Sequence, residues 1–250
     1  MSKLRIALPK GRLYDAAVDC FRQAGITLDP DPGRRLLIPS SVPGIEFLAV
    51  RPGDVPVYVE AGAADLGITG TDVLRESDAD VLEPLDLKFG FCRLVVATTA
   101  ELEWPNLPGG VTPRVATKYP RIAWRYFGDQ GRPVEIITVG GSVEVAPLLG
   151  LSHWIVDLVD TGNTLRANGL TERETILECT AVLVANRASQ KLKLDEHLRL
   201  MDRIERRDSG RRVRRRIEPA PARRPVVPST AEPSRPPARS PSGEWPEPPG

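Results

Sequence analysis

The stretch I-V-D-L-V-D-T-G-N-T-L-R-A-N-G-L, residues 155–170, decides how this chain is read. Ile155, Val156, Leu158 and Val159 describe a buried strand, and it stops at Asp160-Thr161-Gly162-Asn163-Thr164. Leu165 to Asn168 suits a short helix that Gly169 closes. A strand that ends in a Thr/Gly turn and opens a helix directs backbone N–H groups outward at the positive end of the helix dipole. A phosphate is readily held there. Thr161 and Thr164 add hydroxyl donors, and Gly162 lets the backbone approach closely. Asp157 and Asp160 do not suit a bare phosphate; they point to a ligand that also presents hydroxyls or a metal ion. Phosphate beside sugar hydroxyls describes a phosphoribosyl group. The same residues also describe an ordinary capped turn with Asp160 or Thr161 as N-cap, so the rest of the chain has to decide.

Working outward, strand-like and helix-like segments alternate. Leu4 to Leu8 reads as a first buried strand ended by Pro9, and the loop Lys10-Gly11-Arg12 leads into a helix with Ala16, Ala17, Cys20, Phe21 and Ala24 at helical spacing. Lys10 and Arg12 then stand beside a helix N-terminus, either for an anionic ligand or as two solvated charges. A turn-rich connection at 29–33 precedes strands at 36–38 and 46–50. The second of these ends at Arg51-Pro52-Gly53-Asp54, before a helix over 55–61. The strand 66–70 runs into Thr71-Asp72 and a helix to Glu76, and strands follow at 81–85 and 91–97. The polar, Pro/Gly-rich segment 99–113 reads as a connection near a domain boundary. After it come strand 114–117, helix 120–128, strand 134–139, the loop Gly140-Gly141-Ser142 and a helix over 143–149. A strand-rich return at 175–185 and one helix over 189–206 complete the pattern. Such alternation predicts α/β layers with a largely parallel sheet. Ligands in such sheets sit beyond the C-terminal strand ends. The loops at Lys10–Arg12, Arg51, Gly70–Asp72, Gly140–Glu144 and Asp157–Thr164 all fall there, and two lobes would let them face each other across a cleft.

Composition bounds the function. The 250-residue chain is 41% hydrophobic and holds 25 prolines, with a net charge of +1. Residues 207–250 carry ten arginines against five acidic residues, so the part before them is acidic and has no basic excess of the kind that accompanies nucleic-acid binding. That Pro/Arg-rich tail, including R-R-V-R-R-R at 211–216, reads as disordered. Cys20, Cys92 and Cys179 are odd in number, lack metal-site spacing and sit in apolar patterns. They suit a reducing compartment and core packing. The start L-R-I-A-L-P is too short and interrupted for a signal peptide, and no apolar run has membrane-spanning length. The expectation is a soluble, cytoplasmic protein with no membrane association.

Seven motifs, in order, resemble the short form of the ATP phosphoribosyltransferase family. They are A-L-P-K-G-R-L (7–13), V-R-P-G-D-V-P (50–56), L-G-I-T-G-T-D-V-L (66–74), F-G-F-C-R-L-V-V-A (89–97), A-T-K-Y-P (116–120), G-S-V-E-V-A-P-L (141–148) and I-V-D-L-V-D-T-G-N-T-L (155–165). The resemblance spans roughly Leu4 to Arg206. It implies transfer of a 5-phosphoribosyl group from phosphoribosyl pyrophosphate (PRPP) to N1 of ATP with release of pyrophosphate, the first step of histidine biosynthesis. It also implies Mg²⁺ bound with both substrates, and a regulatory subunit resembling histidyl-tRNA synthetase in a hetero-oligomer. The implied fold is α/β, two-lobed and like a type II periplasmic binding protein, with the active site in the interlobe cleft. Residues 1–90 with 183–206 would form the first lobe and 91–182 the second, the strands near 89–97 and 176–185 crossing between them.

Carried over by position, Asp157, Asp160, Thr161, Gly162, Asn163, Thr164 and Leu165 would bind PRPP. Lys10, Gly11, Arg12, Arg51, Asp72 and Glu144 would line the cleft for ATP and pyrophosphate. No catalytic base and no metal ligand is assigned. Ser152-His153-Trp154 departs from the small, acidic stretch usual in the family, and His153 is either a base or a residue that packs or caps beside Trp154. The alternative function is a non-catalytic nucleotide or small-molecule sensor of the same fold.

Overall fold

A computed structural model describes residues 3–29 and 36–206. The tail at 207–250, its basic run at 211–216 and most of the 29–33 turn lie outside the described residues. Among the described residues, eleven strands and seven α-helices follow in chain order. They are β1 (Leu4–Pro9), α1 (Tyr14–Gln23), β2 (Leu37–Pro39), β3 (Ile45–Val50), α2 (Val55–Glu60), β4 (Leu66–Gly70), α3 (Thr71–Ser77), β5 (Leu82–Asp86) and β6 (Cys92–Thr99). Then come β7 (Arg114–Thr117), α4 (Pro120–Asp129), β8 (Glu135–Thr138), β9 (Trp154–Val159), α5 (Asn163–Ala167), β10 (Leu170–Cys179), β11 (Ala181–Ala185), α6 (Arg187–Leu192) and α7 (Leu194–Arg206).

The strands form two sheets, ordered β2-β3-β1-β4-β11-β5 and β10-β6-β9-β7-β8. Their near-continuous apolar runs are explained by burial on both faces. Along β1, Leu4, Ile6 and Leu8 pack into one core while Ala7 turns to the opposite one. Along β9, Trp154 and Val156 face one core of the second sheet, and Ile155 and Val159 face the other. Trp154 stacks 6.0 Å from Phe127 and meets Trp104 edge-on at 4.7 Å, which fixes the centre of that lobe.

The chain passes between the sheets twice. The segment between β5 and β6 leads out, and Thr180, alone between β10 and β11, leads back. The two passages are laced together. Leu87 N donates to Ala181 O and Ala181 N to Phe89 O, both at 2.9 Å. The Thr180 hydroxyl donates to Phe89 O at 3.2 Å. At the same point Thr71 N donates to Thr180 O at 2.9 Å, which ties the start of α3 to the passage.

The two-lobed α/β expectation is met, with four differences of detail. The sheets are mixed rather than largely parallel, because β11 and β6 enter their sheets from the opposite lobe and pair antiparallel. The segment 99–113 marks no boundary, since Leu107 and Trp104 pack into the second lobe's own core. The helix expected over 143–149 is a single 3₁₀ turn, Val143–Val145, entered through Ser142 at φ +48° and followed by Pro147. The helix expected over 189–206 breaks at Lys193 into α6 and α7. No helix among the described residues is long and apolar enough to cross a membrane.

That break brings a buried polar cluster together. Ser189 Oγ donates to Asp65 Oδ1 at 2.5 Å and sits 3.1 Å from His197 Nε2. Lys193 Nζ and Arg5 N also donate to the Asp65 carboxylate, at 2.8 and 2.7 Å. Burial pushes Asp65 up, but the bonds from Lys193, Ser189 and the Arg5 amide outweigh it and hold the carboxyl below its usual range. Burial also depresses His197, so the folded state binds its proton poorly. For a depressed histidine the unfolded state takes up more protons once pH falls below its ordinary value, about 6.5. Unfolding free energy should therefore be flat from pH 8 to 7 and fall below about 6.5, with a limiting slope of about 1.4 kcal/mol per pH unit for each proton. His197→Gln should reduce that slope in chemical denaturation between pH 5 and 6.5; an unchanged slope would place the acid sensitivity elsewhere.

Candidate active site

The C-terminal ends of β1, β4, β7 and β9 converge on a cavity of about 630 Å³ between the lobes. Pro9 ends β1, with Lys10, Arg12 and Leu13 after it, and Gly70 ends β4, with Asp72 after it. Lys118 and Tyr119 follow β7, while Leu158 and Asp160 end β9. Each reaches the cavity because a parallel strand delivers the next loop to the same edge of its sheet.

Of the residues expected at the site, the cavity brings together Lys10, Arg12, Asp72 and Asp160. Gly11 lies between the two basic residues at φ +83°, and Arg51 is exposed beside Pro52 at the rim. Asp157, Glu144 and the 161–165 turn do not line the cavity. Glu144 is close enough to Asp157 to act on its charge, as is Lys118. Burial raises the Asp157 carboxyl above its ordinary value, against the Leu158 amide and Lys118. Thr161, Asn163 and Thr164 are exposed, and Leu165 turns its side chain into the core.

The turn itself is built for open donors. Gly162 adopts φ +76° as the N-cap of α5, and neither Asp160 nor Thr161 caps the helix through its side chain. The first-turn N–H groups of a helix have no intrahelical acceptor, and here no side-chain oxygen covers them. Arg166 braces the turn from beneath, Nη2 donating to Thr161 O at 2.9 Å and to Asn163 Oδ1 at 2.6 Å.

The cavity also takes in Lys118, Tyr119 and Glu76, to which the sequence gives no site role. Lys118 and Tyr119 stood inside a quoted motif, but nothing local gave them a partner. The Tyr119 hydroxyl donates to Asp72 Oδ2 at 3.1 Å across the lobes, and both residues are 3% exposed. Burial and the Asp72 charge push the phenol well above its usual value, so it stays a neutral donor. Asp72 Oδ1 packs over Gly70 without a hydrogen-bond partner, and a Cβ on Gly70 would come within 2.1 Å of it. Glu76 accepts from the Arg121 and Ile122 amides, at 3.1 Å each, and so caps α4 from the other lobe. The Arg125–Asp78 ion pair at 3.1 Å adds to this α3–α4 latch. His153 lies at the opposite end of β9, its Nδ1 accepting from Arg114 N at 3.0 Å, which makes it a strand-edge cap away from the cavity.

The family described as HisG, ATP phosphoribosyltransferase, matches residues 51–206. An ATP phosphoribosyltransferase from Syntrophotalea carbinolica is 48% identical over 212 residues, covering 81% of this chain and 94% of that one. Another from Caldanaerobacter subterraneus subsp. tengcongensis is 50% identical over 195 residues, covering 77% and 91%. Among solved structures, the ATP phosphoribosyl transferase (HisG:HisZ) complex from Thermotoga maritima aligns with a TM-score of 0.73 at 32% identity, over 83% of this chain and 100% of that one. The periplasmic aliphatic sulphonate binding protein SsuA from Escherichia coli aligns at 0.53 and 12% identity, over 84% and 73%, which is a likeness of fold alone.

Tyr119→Phe removes one hydrogen bond to a buried carboxylate and should lower stability by about 1.5–3 kcal/mol. Thermal unfolding of the pair Tyr119→Phe and Asp72→Asn checks this. An unchanged melting temperature for Tyr119→Phe would show that the bond does not hold the lobes.

Proposed function

The chain belongs to the ATP phosphoribosyltransferase family, and from that premise we propose how its own residues carry the reaction. The enzyme transfers a 5-phosphoribosyl group from PRPP to N1 of ATP, giving 1-(5-phosphoribosyl)-ATP and pyrophosphate, the first step of histidine biosynthesis. The observation that carries the residue assignment is the uncapped α5 turn at the end of β9, next to a cavity lined by Lys10 and Arg12 from one lobe and Lys118 and Asp160 from the other.

In this reading Thr161, Gly162, Asn163, Thr164 and the Leu165 amide hold the 5′-phosphate of PRPP. Asp157 and Asp160 accept from the ribose hydroxyls. Burial raises the Asp157 carboxyl, and hydroxyl donors replace part of the solvation it has lost. Lys10, Gly11, Arg12 and Arg51 receive ATP and pyrophosphate, with Asp72 and Glu144 at the cleft edges. Cleavage of the C1–pyrophosphate bond leaves a cationic sugar and a highly charged leaving group, which fixed cations on one side and carboxylates on the other stabilise. N1 of neutral adenine carries no proton, so the attack requires no base. Holding both substrates in line supplies part of the acceleration, up to ~7–11 kcal/mol at the ideal limit.

Mg²⁺ bound with PRPP and ATP supplies charge neutralisation on the phosphates. The unsatisfied Asp72 Oδ1 suits such a partner. No cluster of three metal-ligating side chains occurs among the described residues, and Mg²⁺ held mainly by substrate phosphates and water does not require one. The division into lobes at 1–90 with 183–206 and 91–182, a cytoplasmic location, and a histidyl-tRNA synthetase-like regulatory partner belong to the same reading. The solved HisG:HisZ complex supports the partner.

Thr164→Val keeps the turn's shape and removes one phosphate donor. It should raise the KM for PRPP about tenfold or more while leaving that for ATP within about twofold. Equal losses for both substrates would refute the assignment of the turn to PRPP.

A further inference from the structure

Two of the three cysteines, which the sequence places in the core, meet beside the passage between the lobes. Cys92 opens β6 and Cys179 ends β10, and the antiparallel register sets them directly opposite each other. Both are free thiols packed into the same face of the second lobe, 8% and 2% exposed. Cys179 Sγ donates to Leu177 O at 3.7 Å, and its thiol stands near enough to the Cys92 sulfur to act on it. From the other lobe Arg12 Nη2 donates to Cys92 Sγ at 3.4 Å, and Cys92 also lines the cavity, where a small solute can reach it.

The roles of the two sulfurs differ. The neighbouring Cys179 thiol lowers Cys92, burial opposes this, and the Arg12 charge adds to the lowering. Cys179, beside that sulfur and more deeply buried, is pushed up. A sulfur held toward the thiolate by a guanidinium is the nucleophile of a thiol pair, and its protonated neighbour is the resolving partner. Directly opposed residues on antiparallel strands have Cβ atoms about 4.5–5.5 Å apart, whereas a disulfide requires about 3.5–4.5 Å. Closing the bond therefore draws the strand ends together by about one ångström. The irregularity in the β10 pairing between Thr175 and Leu177 lies two residues away to absorb the shift.

We propose that Cys92 and Cys179 are a modification site, a dithiol that hydroperoxides convert to an intrachain disulfide at the passage between the lobes. The Cys92 thiolate attacks one peroxide oxygen, the O–O bond breaks, and hydroxide leaves to become water, giving a sulfenic acid. The Cys179 sulfur then attacks the Cys92 sulfur and loses its proton, and the S–O bond breaks with release of a second water. Two thiols and one hydrogen peroxide give one disulfide and two waters. The new bond withdraws the Cys92 sulfur from Arg12 and fixes β6 to β10 at the passage between the lobes. The thiol chemistry stands apart from the enzymatic reading; only its effect on turnover rests on Arg12 receiving ATP and pyrophosphate.

The test treats the full chain with hydrogen peroxide, then blocks remaining thiols and maps them by peptide mass. The titratable thiols should fall from three to one, with a Cys92–Cys179 linked peptide and Cys20 still reduced. In Cys179→Ala the oxidation should stop at a Cys92 sulfenic acid that a 1,3-dione traps. Turnover should drop about tenfold or more on oxidation, return with a thiol reductant, and drop far less in Cys179→Ala. Both thiols surviving peroxide, Cys92 passing to sulfinic acid with Cys179 intact, or a linkage only between chains would each overturn the proposal. A mapped intrachain disulfide with unchanged turnover would overturn the role given to Arg12. Because the mapping reads sulfur alone, its outcome does not depend on whether the reduced chain makes phosphoribosyl-ATP.

Discussion

Thr180 is a single residue between two sheets, and its neighbours lace the outgoing and returning passages into one short ladder. Leu87, Phe89 and Ala181 exchange backbone bonds there, and Thr71 adds the start of α3. Because both passages are held at one place, the lobes have one edge at which to meet. Parallel strands from both sheets deliver their following loops to that edge, and the cavity is the space between them. The latch of Tyr119 on Asp72 and of Glu76 on the α4 amides then sets how far apart the lobes stand.

The electrostatics follow from this arrangement. Lys10 and Arg12 come from one lobe, Lys118 and Asp160 from the other. Cations therefore face the cavity from both lobes, and Asp72 and Asp160 add a carboxylate from each. Arg12 shows the economy of the design, since it also donates to Gly90 O at 3.2 Å and to Cys92 Sγ. Arg12 therefore ties the cavity to the passage between the lobes.

Much of this was legible in the sequence, and the reasons are local. The β9 stretch announced itself because a two-sided buried strand is an unbroken apolar run, and its end at Asp160 is marked by the change to polar residues. The start of α5 at Asn163 rather than Leu165 was not legible, because it depends on Gly162 taking a left-handed conformation that glycine permits but does not require. Strand direction was misjudged for β6 and β11 because an apolar run carries no sign of the lobe from which it arrives. The role of Tyr119 depends on a residue 47 positions away, and that of Cys92 on partners 80 and 87 positions away. Local pattern gave Cys92 correctly as buried, said nothing of Tyr119, and could not give what either touches. His153, which invites a catalytic reading by residue type, is removed from it by its position at the wrong end of β9.

The most direct measurement is product formation from ATP, PRPP and Mg²⁺ by the purified full chain, with and without a histidyl-tRNA synthetase-like subunit. The account predicts 1-(5-phosphoribosyl)-ATP and pyrophosphate in equal amounts, from the chain alone or from the pair, because the proposed substrate cleft is lined by this chain's own residues. Binding of ATP and PRPP with no product under either condition would contradict it and favour a sensor of the same fold.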